Sequence, residues 1–156
     1  MNDEPKLPKI SDNSSNRLEK VTNALGIDRD VLPNDKQIND VWNNLPKHIS
    51  RVPTHLRDQT LVRLCVAVSS GLFDSAINYA WNLAVIELRN KVKRFGVNVV
   101  RHVTQDNFSE DVLFNLKDSE LLDLCLQLNL ISTHGNKMLH QCRDLRNSMS
   151  AAHPPM

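Results

Sequence analysis

Apolar side chains recur every three or four residues along most of this 156-residue chain, the spacing that places them on one face of an α-helix. Residues 18–25 form the first such segment, and Gly26 is a plausible C-cap. A second short segment follows Asn34. A third follows Pro53 and ends at Gly71. The pattern predicts three short amphipathic helices in the first seventy residues.

The longest predicted helix covers residues 72–95, which contain neither proline nor glycine. Apolar residues occupy more than half of its circumference, as is typical of a helix at the centre of a bundle. Glu87 falls inside this apolar arc, near Ala80 and Leu83. A carboxylate in that position needs a partner.

The last third of the chain predicts two firm helices and one ambiguous segment. After Gly96, periodicity leaves a short strand and a helical turn both open for residues 97–103. A short helix ends near Leu116, and the first firm helix starts at Asp118 or Ser119. The last helix starts near Ser132 or Thr133 and loosens before Pro154. It is expected to carry four apolar residues toward the core: Leu139, Cys142, Leu145 and Met149.

Composition favours an all-α fold. Aromatic residues make up only 4% of the chain and glycines number 4, which disfavours sandwiches and barrels. Residues 1–17 are rich in Pro, Asn, Ser and alternating charges, so they predict a disordered or loosely ordered tail. Residues 18–156 predict a single helical domain, a bundle with two long antiparallel helices and additional short N-terminal helices.

Charge and cysteine content narrow the function classes. A formal net charge of +1 provides no global attraction to nucleic acid or to an anionic membrane. Cys65, Cys125 and Cys142 form no CxxC pair and predict buried free thiols in a reducing compartment. The N-terminus lacks the apolar core of a signal peptide, so we expect a cytoplasmic protein without membrane contact.

No cofactor or metal is expected from the sequence. His134, His140 and Cys142 lie near one another in the chain, but their spacing matches no zinc pattern.

Arg146 and His153 are the strongest candidates for chemistry. Seven residues of ideal helix rotate by about 700°, which brings both side chains to within about 20° of one face. A half-buried guanidinium needs a carboxylate, a phosphate or a partner subunit, and Glu87 is the obvious carboxylate within the chain. A plain Arg–carboxylate pair, with His153 interacting with the helix dipole, is the alternative interpretation.

The sequence Arg146-Asn147, five further residues and His153 resembles the motif of the HEPN superfamily, and the resemblance extends over residues 72–155. Many members of that family are metal-independent endoribonucleases that act as dimers. The resemblance implies an electrostatic role for Arg146, an acid/base role for His153 and a supporting hydrogen bond from Asn147. Glu87 and Ser150 are supporting candidates.

A basic run follows the middle of the long helix, and it allows two interpretations. Arg89, Lys93, Arg94 and Arg101 are predicted RNA contacts, because lysine and arginine neutralise phosphates. A solvated helix end is the other interpretation, since cations are favoured near a helix C-terminus.

Two functions therefore follow as expectations. The first is a HEPN-like, metal-independent endoribonuclease of the toxin or antiviral phage-defence type, homodimeric through its last long helix and acting on RNA. The second is a non-catalytic HEPN-like dimerisation or partner-binding module of a larger protein, with an additional protein partner or downstream domain. No helix is predicted after His153, whereas family members usually continue. Either the HEPN-like part is truncated at its C-terminus or the N-terminal helices close the bundle.

Overall fold

The computed structural model describes residues 4–104 and 107–149 of the chain. This part is all-helical and contains no β-strand, which confirms the predicted all-α class. Its helices are α1 (Asp12–Ala24), α2 (Asp35–Ile49), α3 (Gln59–Ser69), α4 (Phe73–Phe95), α5 (Val97–Thr104), α6 (Glu110–Asn115), α7 (Asp118–Gln127) and α8 (Thr133–Ser148), with 3-10 turns at Arg29–Val31 and Thr54–Leu56. The segment after Gly96, ambiguous in sequence, is helical. None of these helices combines the length and the apolar character needed to cross a bilayer.

Side-chain caps define where several helices begin. Asn34 and Gln37 form a capping box at the start of α2, each side chain bonding the other residue's backbone N–H. Ser132 caps α8 by accepting from the backbone N–H of Gly135, at 2.9 Å. Both starts agree with the sequence prediction. The caps work through contacts only two or three residues away, which is why they are readable from sequence.

The chain divides into two compact units, Met1–Ala80 and Trp81–Met156, and the division falls within α4. Compactness concerns packing and does not show independent folding. The expectation of a single domain over residues 18–156 therefore stays a prediction.

The first unit is organised by α2 and α3, which pack side by side. Ile38, Trp42 and Ile49 of α2 are buried, as are Leu61, Leu64, Ala67 and Val68 of α3. Gly71 follows the C-cap of α3, and its backbone is in the left-handed region, with φ at +73°.

The N-terminal residues differ from the predicted tail. Helix α1 begins at Asp12, before the expected start at Leu18. Within residues 4–10, the backbone carbonyl of Pro8 accepts a hydrogen bond from Nε1 of Trp42, at 2.9 Å. This segment therefore has a specific contact with α2.

The second unit has its own hydrophobic core, contributed by α4, α5, α6 and α7 and the segments that join them. Its buried members are Trp81, Val85, Leu88, Val92, Val100, Phe108, Leu113, Leu121, Leu122, Leu124, Cys125 and Leu128. Leu139 of α8 is partly buried against this core. Helices α7 and α8 form a close pair. The antiparallel pairing of α4 with α8 stays a prediction.

The three cysteines are free and differ in burial. Cys125 is fully buried, and desolvation raises the pKa of its thiol to about 11, an effect that Lys91 partly opposes. Cys65 is half-buried, and desolvation raises its pKa as well. Cys142 is exposed, so the prediction that it is buried was wrong. It lies on the side of α8 that does not face the core.

Candidate functional site

Arg146 projects from the last turns of α8 toward the start of α7. One of its terminal nitrogens, Nη2, donates to Oδ2 of Asp118 at 2.8 Å. Both side chains are half-buried, with 29% of Arg146 and 24% of Asp118 exposed. The guanidinium therefore has the carboxylate partner that its position requires. The sequence suggested Glu87 for this role, and the structure places Asp118 there.

Asp118 accepts a second hydrogen bond from a third helix. The indole Nε1 of Trp81, on α4, donates to the same Oδ2 at 2.7 Å. Asp118 is also the first residue of α7, where the helix dipole favours negative charge. Trp81, Asp118 and Arg146 thus join α4, α7 and α8, and we call these three residues the Asp118 node. The sequence predicted packing for Trp81 and did not predict this node.

Arg146 has donors beyond the one that Asp118 uses. Its Nε is buried and has no hydrogen-bond partner among the residues that the structure describes. A guanidinium carries five N–H groups in a planar fork that suits phosphate oxygens. Asn147 follows on the same helix and is half-buried. Because Nε is shielded from solvent, an anion that approaches this side of α8 would meet the exposed part of the guanidinium, which the node holds in place.

His153 and Ser150 lie outside the described residues. The distance between the guanidinium of Arg146 and the imidazole of His153 is therefore not part of the site geometry. The pairing of these two residues stays a prediction from the helical spacing.

Glu87 forms an ion pair with a residue of its own helix. Its Oε1 accepts from Nη2 of Arg94 at 2.7 Å, two turns further along α4. The glutamate side chain is 20% exposed and that of Arg94 is 57% exposed. The sequence correctly identified Glu87 as a carboxylate in need of a partner.

Three of the four predicted RNA-contacting cations have partners within the chain. Arg94 pairs with Glu87. Arg89 lies over the ring of Phe114, 5.4 Å from its centroid. Arg101 donates from Nε to the carbonyl oxygen of Phe108. Lys93 is exposed on α4. These contacts favour a structural role for most of the basic run.

An exposed apolar stripe runs along α8, which we call the α8 seam: Met138, Cys142, Leu145 and Met149. Met138 and Leu145 are each 52% exposed and Met149 is 38% exposed. The expectation that Cys142, Leu145 and Met149 face the core was wrong. Helix α8 turns a different arc, containing Leu139 and Arg146, toward the rest of the unit.

The described histidines and acidic residues of the second unit form no group that could hold a metal ion. His140 approaches Asp123, with 3.6 Å between Nε2 and Oδ1. Over residues 4–104 and 107–149, no three His, Cys, Asp or Glu side chains form a group that could hold a metal ion.

Comparison with known proteins identified no relative. No family model, no curated protein and no solved structure matches this chain. The resemblance to the HEPN superfamily therefore rests on the residues of the motif alone.

Proposed function

We propose that this chain is a HEPN-like dimerisation module in which the α8 seams of two copies pack against each other. The observation that carries the proposal is the exposed seam itself. Four apolar side chains on one helix face remain in contact with water in the single chain. Covering them removes apolar surface from water, which favours association.

The spacing of the seam suits a second copy of the same helix. Met138, Cys142, Leu145 and Met149 are separated by four, three and four residues, the alternation of a helix–helix seam. A two-fold axis near the centre of the seam, in antiparallel pairing, places Met138 opposite Met149 and Cys142 opposite Leu145. The same surface then serves both partners, as in the isologous interfaces of most dimers.

Dimerisation would also bring two copies of Arg146 near each other. With the axis between Cys142 and Leu145, the two residues are separated by about 7.5 Å along the helix direction, five residues at about 1.5 Å each. The full distance between the two guanidinium groups also includes the separation of the two helices, and their like charges repel each other. Asp118 offsets part of this charge in each copy, and a phosphate between them would offset more.

The seam predicts a concentration-dependent dimer that a charge at its centre disrupts. Leu145→Glu places a carboxylate at the contact, so the dimer dissociation constant is expected to rise by at least about tenfold. Val112→Glu is the matched control, because Val112 is an exposed valine on α6 that lies outside the seam. Sedimentation equilibrium of the full chain measures both. A parent chain that stays monomeric at millimolar concentration, or equal effects of the two substitutions, would contradict the proposal.

Metal-independent RNA cleavage is the second candidate function, favoured by the geometry of Arg146. The Asp118 node holds its guanidinium in a fixed position, and 29% of the side chain is exposed to an approaching anion. Fixed donors of this kind stabilise charge that develops on a phosphoryl group. In this function Arg146 stabilises the charge, His153 transfers the proton and Asn147 supports them.

The ribonuclease function predicts cleavage of labelled RNA in the presence of EDTA. Arg146→Ala and His153→Ala are each expected to lower the rate by about a hundredfold or more, the loss typical of removing a transition-state donor. Arg143→Ala is the matched control, because Arg143 lies on α8 and pairs with Asp144 outside the node. Circular dichroism checks folding of each variant. Absence of cleavage in a chain that still dimerises would leave the dimerisation module as the function.

A further inference from the structure

The first unit contains an apolar groove between α2 and α3, separate from the residues considered above. Its volume is about 560 Å³. Trp42 and Ile49 line it from α2, and Leu61, Val62, Cys65 and Val66 line it from α3. The chain's own N-terminal residues form the remaining wall. We call residues 4–10, Glu-Pro-Lys-Leu-Pro-Lys-Ile, the strap.

The strap occupies the groove in the manner of a bound peptide. It contains no helix, and its Pro5 and Pro8 are three residues apart. Pro5 is half-buried and Pro8 is exposed, and both line the groove. The backbone carbonyls of an extended segment of this kind have no partner within the peptide. Nε1 of Trp42 donates to the carbonyl of Pro8 at 2.9 Å. Contact between an aromatic side chain and an extended segment is a recurring feature of grooves that bind PxxP peptides, and Trp42 provides such a contact here.

The strap does not fill the groove. Val62 and Val66 are one turn apart on α3 and line the groove, yet they are 63% and 57% exposed. The open volume falls within the range of about 300–1,000 Å³ typical of ligand sites. A segment that served only to cover the core would leave less apolar surface in contact with water. The groove therefore has the dimensions of a recognition site that is partly occupied.

Charged side chains of both signs line the groove: Lys9, Arg57 and Asp58. Lys9 follows the second proline of the strap and lines the groove together with Asp58. Asp58 is the N-cap of α3, with one carboxylate oxygen accepting from the backbone N–H of Thr60. Lys9 is exposed, and Asp58 serves the start of α3, so the apolar side chains carry the argument for a ligand.

We propose that the α2–α3 groove binds an extended PxxP peptide of a partner protein. The strap is its exchangeable intramolecular ligand. Trp42 donates to the ligand backbone, and the apolar side chains of α3 contact the prolines and the residue between them. This inference rests on the first unit alone and stands independently of the dimer and of RNA cleavage.

The proposal has a measurable consequence, because the strap competes with an external peptide for the groove. A segment tethered by a short linker acts at an effective concentration of about millimolar, so it weakens the binding of an external peptide. Releasing the strap removes this competitor. Leu7→Ser/Ile10→Ser in the full chain removes two half-buried apolar side chains of the strap and leaves the groove residues unchanged. Pro5→Ala/Pro8→Ala is a second release variant that acts through backbone conformation.

The probe is a fluorescein-labelled peptide with the strap's own sequence, EPKLPKIS, titrated by fluorescence anisotropy. The released variants are expected to bind it at least about tenfold more tightly than the parent chain. A peptide with both prolines replaced by alanine is expected to bind at least about tenfold more weakly than the probe. Trp42→Phe in a released variant is expected to weaken binding about fivefold, the loss of one hydrogen bond.

Val41→Ser is the matched control for Trp42→Phe. Val41 precedes Trp42 on α2, is exposed and does not line the groove, so its substitution is expected to leave peptide affinity unchanged. Equal affinity of the parent and the released variants, or of the two peptides, would overturn the proposal. Unfolding of both release variants would overturn it too, since the strap would then be a structural part. Strap exchange between two copies without peptide binding would identify a second copy as the occupant and would also overturn it.

Discussion

The carboxylate of Asp118 is the point on which the second unit's polar contacts converge. A single oxygen accepts from the indole of Trp81 and the guanidinium of Arg146, at 2.7 and 2.8 Å. Hydrogen bonds to an ionised group are about twice as strong as neutral ones. Removing the charge would leave a half-buried guanidinium without its counterion, which costs more than the loss of the contact alone.

Asp118→Asn is therefore expected to destabilise the protein by about 1–3 kcal/mol, because the isosteric amide cannot neutralise Arg146. Trp81→Phe removes one donor and keeps most of the ring, so we expect a smaller loss, about 1 kcal/mol. Urea unfolding followed by circular dichroism measures both. Asp123→Asn is the control, since the side chain of Asp123 is 72% exposed and its Oδ1 lies 3.6 Å from Nε2 of His140. Equal losses at Asp118 and Asp123 would show that the node contributes no more than a surface contact.

The sequence indicated which charged residues require an ion-pair partner, but it did not identify the residue that pairs with Arg146. Arg146 and Glu87 were each recognised as charged groups on apolar helix faces, and each has an ion-pair partner. The partner of Arg146 lies 28 residues away in sequence. Periodicity describes one helix at a time, so it cannot choose between Glu87 and Asp118 as the carboxylate that reaches a guanidinium on another helix.

At the scale of elements, helix ends were predictable where the chain marks them with a cap or a glycine. Gly26 and Gly71, both expected to end helices, have φ angles of +66° and +73°. This left-handed conformation is unfavourable for residues with a Cβ atom. Glycine is therefore required by backbone geometry at both positions.

The two glycines predict different costs of substitution by alanine. Both variants incur the left-handed strain, about 1–2 kcal/mol. At Gly26 an added Cβ meets nothing within 4 Å, whereas at Gly71 it lies 3.0 Å from Cδ1 of Ile38 and 3.3 Å from Cδ of Pro33. Gly71→Ala should therefore be the more destabilising variant in thermal unfolding, with Gly26→Ala as its matched control. An equal or smaller effect at Gly71 would mean that the Ile38 side chain moves aside without cost.

Helix α8 shows what the spacing of apolar residues within one helix does not predict. Its apolar residues were identified from their spacing, but those residues occupy two arcs, one with Leu139 against the core and one forming the seam. A pattern of apolar positions indicates which faces avoid water. It does not say whether a given face is covered within the chain or by another molecule.

At the scale of the whole molecule, the two units have separate apolar features that are open to solvent. The second unit presents the α8 seam, and the first presents the groove that the strap partly occupies. Contiguous exposed apolar surface on a protein commonly marks an interaction site. Both proposals treat this surface as functional, and they differ in partner: a second copy for the seam and an extended peptide for the groove.

The amino-acid sequence by itself determined the helical class, most helix boundaries and the residues that need electrostatic partners. These properties arise from interactions between residues a few positions apart, such as caps, left-handed glycines and the helical period. The tertiary structure alone decided that Asp118 holds Arg146 and Trp81, that the α8 seam faces water and that the strap lies on Trp42. Each of these depends on packing between segments far apart in the chain, because the core that forms determines which face of each helix is covered.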